Sequence, residues 1–155
     1  GDLNSRWFHV GGGGGVIADP MGGEAGIAGR FVLGGGAYTF GLYGGGGMEV
    51  TGSMVASPSL SGVGYFGVAV PVPVVHPLFG IRALVGLHGK DAGGAAIPGF
   101  AYVAPHVGVG VQGGFIVREF DGKPGLRFMV DSGVELRPDT GEVPPDLFVT
   151  LAAVF

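Results

Sequence analysis

The residues best suited to acid–base chemistry near neutral pH are four histidines, His9, His76, His88 and His106. Nucleophilic catalysis needs a hydroxyl or thiol within hydrogen-bond reach of such a base. Cysteine is absent, and no serine stands near His88 or His106 in sequence. His76 lies among prolines and His9 close to the start of the chain, so all four are expected as polar rim residues. A zinc site built from His88, His106 and Asp91 matches no known ligand spacing. The five glycines Gly11 to Gly15 are not followed by the Gly-Lys-Ser/Thr of a phosphate loop, and Gly89-Lys90 lacks the hydroxyl residue. No catalytic residue, metal or cofactor is expected, and the chain reads as a non-enzyme.

A second group is ionic: Arg30, Arg82, Arg118 and Arg127 with Glu49, Asp131 and Glu135. The two signs nearly balance, as charges withdrawn from water must. Arg82, Arg118 and Arg127 could line an anion path, or all seven could form a salt-bridge plug. What encloses them decides between the two.

Composition restricts the enclosure. The 155 residues suit one domain, 1–155, and include 36 Gly and 11 Pro, too many breakers for a helical fold. Charged residues make up 13%, about half the usual roughly 25%. Mean hydropathy is +0.50, yet no apolar run approaches the ~18–20 residues of a membrane helix. Membrane-like hydropathy without such a helix leaves a closed barrel. The net charge of −4 and the lack of a basic patch argue against nucleic acid as a partner. Gly1 to Arg6 lack a hydrophobic signal core, so an exported chain would be in its cleaved form.

Period-two alternation locates the strands. Phe79, Ile81, Ala83, Val85 and Leu87 share one face, with Gly80, Arg82, Leu84, Gly86 and His88 opposite. Leu126, Phe128, Val130, Val134 and Leu136 oppose Arg127, Met129, Asp131, Gly133 and Glu135. The pattern predicts strands at 6–17, 25–37, 41–54, 61–72, 78–88, 107–118, 126–137 and 147–155, with the parity of the first hidden by its glycines. Turns on the side of the termini are expected at Thr39-Phe40, 73–77 and 119–125. Outer loops are expected at 18–24, 55–60, 89–106 and 138–146. The longest, 89–106, carries Phe100 and Tyr102 and could contact a partner.

This arrangement is an all-β, eight-stranded antiparallel up-and-down transmembrane barrel. Its charged face is too sparse to solvate the outside of a soluble barrel, so the charges are expected inside. Eight strands enclose a bore that side chains fill, which favours the salt-bridge plug over the anion path.

The chain resembles the eight-stranded outer-membrane barrel family, the class of the outer-membrane protein A transmembrane domain and the opacity-type porin-like proteins. The likeness rests on Trp7-Phe8-His9-Val10 followed by glycines, on Gly44 to Gly47 followed by Met48-Glu49-Val50, and on alternating apolar residues that end in Phe155. It implies a cell outer membrane of Gram-negative type and contact with its lipid. It also implies that Phe155 forms part of the signal read by the barrel assembly machinery.

One asymmetry points to a partner. Gly12, Gly14, Gly44, Gly46, Gly62 and Gly64 fall at outward parity in the first half, where they could allow close backbone packing against another protein subunit or could simply relieve curvature in a tight barrel. The expected function is that of a structural or accessory outer-membrane barrel with a plugged polar lumen, without catalysis and able to join a larger assembly. A narrow channel for small polar solutes is the alternative, followed by a lipid-modifying enzyme and a soluble lipid-binding barrel.

Overall fold

Segments that alternate apolar with small or polar residues can bury only one face, and a sheet closed on itself does so without leaving an edge. The computed structural model describes residues 5–18, 25–39, 41–53, 58–70, 72, 74–90, 102–117, 124–136, 138, 143 and 145–155. They form β1 (Ser5–Ala18), β2 (Ala25–Thr39), β3 (Leu42–Ser53), β4 (Ser59–Ala69), β5 (Val75–Lys90), β6 (Tyr102–Val117), β7 (Gly125–Leu136) and β8 (Pro145–Val154). Each strand pairs antiparallel with its sequence neighbours, and β1 pairs with β8 to close the barrel. No helix forms among the described residues.

Register fixes the bore. The inward ladder that starts at Trp7 passes through Gly36, Gly45, Tyr65, Arg82, Gly110, Gly133 and Asp146, and returns to β1 at Ile17, ten residues on. A stagger of this kind tilts the strands by roughly 40° and leaves room for side chains alone. Large residues fill that room only where their neighbours are glycine. A Cβ on Gly36 would lie 2.6 Å from the Trp7 ring, and one on Gly45 2.8 Å from the Tyr65 ring.

The parity of β1 is resolved: Trp7, His9 and Ile17 are buried, while Phe8 and Val16 are exposed. The interior is layered. Nearest the chain termini, Trp7, Tyr43, Tyr65, Leu78, Ile116, Met129 and Val154 form an aromatic and apolar floor. Towards the other end Ile17, Ala28 and Phe148 form a smaller cluster. Arg30, Glu49, Arg82 and Asp131 lie between.

Several boundaries differ from the sequence reading. The β5–β6 hairpin pairs as far as Lys90 with Tyr102, so residues 89–90 and 102–106 of the expected loop are strand, and Tyr102 is a strand residue rather than a loop residue. Pro105 misleads the sequence reading, yet it lies beyond the last β6–β7 pair, Val107 with Leu136, and deprives β7 of no ladder bond. Pro77 likewise lies in β5 beyond the last β4–β5 pair, Ala69 with Leu78, and since β4 ends at Ala69 the turn expected at 73–77 is displaced three residues towards the N-terminus. Leu60 belongs to β4 and Asp146 to β8, so those two outer loops are also shorter. Thr39 belongs to β2 and pairs with Leu42, so the turn expected at Thr39-Phe40 begins only after Thr39. Gly41 has φ 96°, the left-handed conformation such hairpins favour.

Candidate functional site

Four of the charged residues meet in one ring across the bore. Arg30 on β2 donates from Nη1 to both Asp131 oxygens on β7, at 2.9 and 3.0 Å. Arg82 on β5 donates to Glu49 on β3, and its Nη1 lies 3.3 Å from Asp131 Oδ1. Arg30 Nη1 lies 3.8 Å from Glu49 Oε1, so the signs alternate around the circuit. All four residues are buried. Glycine again makes room: Arg30 faces Gly13 across the β1–β2 pair and Arg82 faces Gly110 across the β5–β6 pair. The Arg30 guanidinium also lies over the Phe148 ring, 3.7 Å from its centroid. Removing one partner from such a set costs about 3–5 kcal/mol, because it strands a buried charge.

The remaining expected charges are placed differently. Glu135 is buried in β7 near the far end of the lumen. Arg127 is buried near the aromatic floor with its guanidinium 5.6 Å from the Tyr65 ring centroid, and it makes no ion pair among the described residues. Arg118 lies outside the described residues. An internal cavity of about 20 Å³ sits between the floor and the ring, lined by His9, Arg30, Glu49, Tyr65, Arg82, Arg127 and Asp131 among others. A second, of about 10 Å³, is lined by Arg82, Glu135 and Asp146.

The floor is tied by hydrogen bonds. Trp7 Nε1 donates to His9 Nδ1 at 2.9 Å, Gln112 Nε2 to the Tyr43 hydroxyl at 2.8 Å, and the Tyr65 hydroxyl to the Gly35 carbonyl at 2.9 Å. Each polar tip on these large rings therefore has a partner, as burial requires.

The histidines are lumen residues, not rim residues; His76 and His106 become so because β5 and β6 extend further than expected. His9, His76, His88 and His106 are all buried, and His76 packs on Tyr38 with ring centroids 5.2 Å apart. The sequence reading found no serine beside His106, but Ser61 Oγ lies 2.9 Å from His106 Nε2. His106 Nδ1 in turn lies 3.3 Å from His88 Nδ1. Ser61 on β4 and His106 on β6 both pair with Gly86 on β5, and its missing side chain lets them meet. That signal was present in sequence, in the shared parity of Ser61, Gly86 and His106, but reading it needed the hairpin registers. The serine, base and second histidine have the order of a hydrolase relay, although all three are nearly sealed from solvent. Asp91, the third residue of the considered zinc set, lies outside the described residues, as does Phe100.

Phe155 completes the seam. It exchanges backbone hydrogen bonds with Phe8 at 3.1 and 2.8 Å, and their rings lie 6.5 Å apart. The six glycines assigned to a partner surface lie on the outward parity of β1, β3 and β4. An outward ladder from Phe8 runs through Gly35, Gly46 and Gly64 to Ala83, a stretch of wall almost free of side chains. Comparison with protein-family models, curated proteins and solved structures finds no match.

Proposed function

We propose that this chain is a structural or accessory β-barrel of a Gram-negative-type outer membrane, with its lumen plugged by ionic and aromatic side chains. The separation of the two faces carries the reading. At outward positions of the eight strands the only charged residue is Arg6, beside the termini, while Arg30, Glu49, Arg82, Arg127, Asp131 and Glu135 all point inward. A water-facing wall would need charges that this one lacks; lipid needs none. Ser132, a polar outward residue, spends its hydroxyl on the Asp146 carbonyl at 3.0 Å, as a hydrocarbon surroundings would demand.

Strands of 10 to 16 residues, tilted by about 40°, match a hydrocarbon layer of roughly 25–30 Å. The likeness of Trp7-Phe8-His9-Val10 and of the terminal Phe155 to the eight-stranded outer-membrane family supports the same location, and assembly through the barrel assembly machinery. Carbonate extraction and heat-dependent gel migration test the reading. The protein should stay with the membrane pellet and migrate faster unheated. Release into the soluble fraction would overturn it in favour of a soluble lipid-binding barrel. The glycine wall of β1, β3 and β4 is the surface on which a partner subunit would pack, and cross-linkers placed there should capture protein rather than lipid.

The two lumen cavities favour one second reading, a narrow channel for small polar solutes. Arg82 lines both, so it would be the barrier between them. Single-channel recording separates the readings: steady conductance altered by Arg82→Gln supports the channel, and a silent bilayer supports the plug.

A further inference from the structure

We propose that the lumen binds one halide ion, chloride under ordinary conditions, in the cavity between Arg127 and His9. The inference depends on the barrel and not on where the barrel resides.

Charge balance motivates it. The cavity is lined by three arginines, Arg30, Arg82 and Arg127, and by two carboxylates, Glu49 and Asp131. Those carboxylates are engaged by Arg30 and Arg82 in the ring. Arg127 is 6% exposed and has no carboxylate of its own among the described residues. Glu135 cannot serve, since it stands eight residues along β7, on the order of 25 Å at about 3.3 Å per residue. The Tyr65 phenol beside Arg127 is not an anion either, because its hydroxyl donates to the Gly35 carbonyl.

Hydrogen-bond donors give the same answer. Arg127 Nε is buried with no acceptor. Trp7 Nε1 can only donate, so His9 Nδ1 must accept from it. A neutral His9 then carries its proton on Nε2, and Arg30, also in the cavity lining, has a buried Nε without an acceptor. Two N–H donors and an uncompensated guanidinium therefore border one cavity, and no carboxylate is left to satisfy them. A cavity of about 20 Å³ is close to the roughly 10–15 Å³ that one water needs, so it admits at most one small monatomic anion and excludes a polyatomic one such as gluconate. Water could fill the space, but it would not neutralise the charge.

The test uses the purified barrel in detergent. Its unfolding midpoint, read from heat-dependent gel migration, should be several degrees higher in sodium bromide or chloride than in sodium gluconate of equal ionic strength. Arg127→Gln should abolish the difference, whereas Arg127→Lys should keep part of it. Crystals grown in bromide should give an anomalous peak within hydrogen-bond reach of both Arg127 and His9. If Arg127→Gln does not fold, the bromide map of the native protein decides alone. Equal midpoints in the two salts, or a bromide map with no peak in this cavity, would overturn the proposal and leave water as the occupant.

Discussion

Arg30 and Asp131 are 101 residues apart in the chain and meet across the bore at 2.9 Å. Asp131 also holds Arg82 at 3.3 Å, so one carboxylate serves two guanidinium groups. Asp131→Asn would leave Arg30 and Arg82 sharing Glu49 alone. The expected loss is about 3–5 kcal/mol in reversible urea unfolding in lipid vesicles. Replacing both members of the closest pair, Arg30→Met with Asp131→Leu, removes the stranded charge and should cost clearly less than Asp131→Asn. A double variant that falls as far as the single one would show that the ring does not work by charge compensation.

The fold was legible wherever one face of a strand carries large aliphatics and the other does not. Phe79 to Leu87 and Leu126 to Leu136 alternate so strictly that parity and facing follow from sequence, and the buried Arg82, Arg127, Asp131 and Glu135 with them. β1 was opaque because Gly11 to Gly15 present no side chain on either face. Only the register, Gly13 opposite Arg30 and Thr150, assigns that face to the bore. The extent of β5 and β6 was hidden by Pro77 and Pro105, which normally end a central strand but here lie where pairing continues on one side only. The Ser61–His106 contact was hidden for the same reason, since it depends on two registers at once.

That contact gives a second prediction. Ser61, His106 and His88 are ordered like a hydrolase relay, but Ser61 is 4% exposed and His106 not at all. A fluorophosphonate probe should therefore leave Ser61 unlabelled in the folded barrel. Ser61→Ala should cost about 1–3 kcal/mol, the loss expected when a buried polar group loses its partner. A Cβ on Gly86 would lie 2.7 Å from Ser61 Oγ, so Gly86→Ala should show a comparable loss. Labelling of Ser61 that depends on His106 would instead reinstate the lipid-modifying enzyme.

The short turns beside the termini yield a pair of opposite effects. Gly41 has φ 96° and open space around its Cβ direction. Gly41→Ala should therefore destabilise for conformational reasons alone, by about 1–2 kcal/mol. Val74 has φ 70° in a β-branched residue, a conformation such side chains rarely adopt. Val74→Asn tolerates that backbone without the added chain entropy of glycine, and should stabilise by about 1 kcal/mol. Urea midpoints of the two variants should move in opposite directions.

Val109 tests the outer wall directly. It is 63% exposed, sits in the middle of β6, and pairs with Ala83 and Val134, both also outward and apolar. If the wall faces lipid, Val109→Arg places a guanidinium near the middle of the hydrocarbon layer. The cost there is about 2–4 kcal/mol and falls towards zero near the membrane surfaces. An arginine at Leu136, close to the end of β7, should therefore cost much less than one at Val109. If the wall faces water, both substitutions are ordinary surface changes within about 0.5 kcal/mol. Urea unfolding of the two variants in vesicles reads the difference, and a depth-independent result would count against the membrane reading even if the fold is intact.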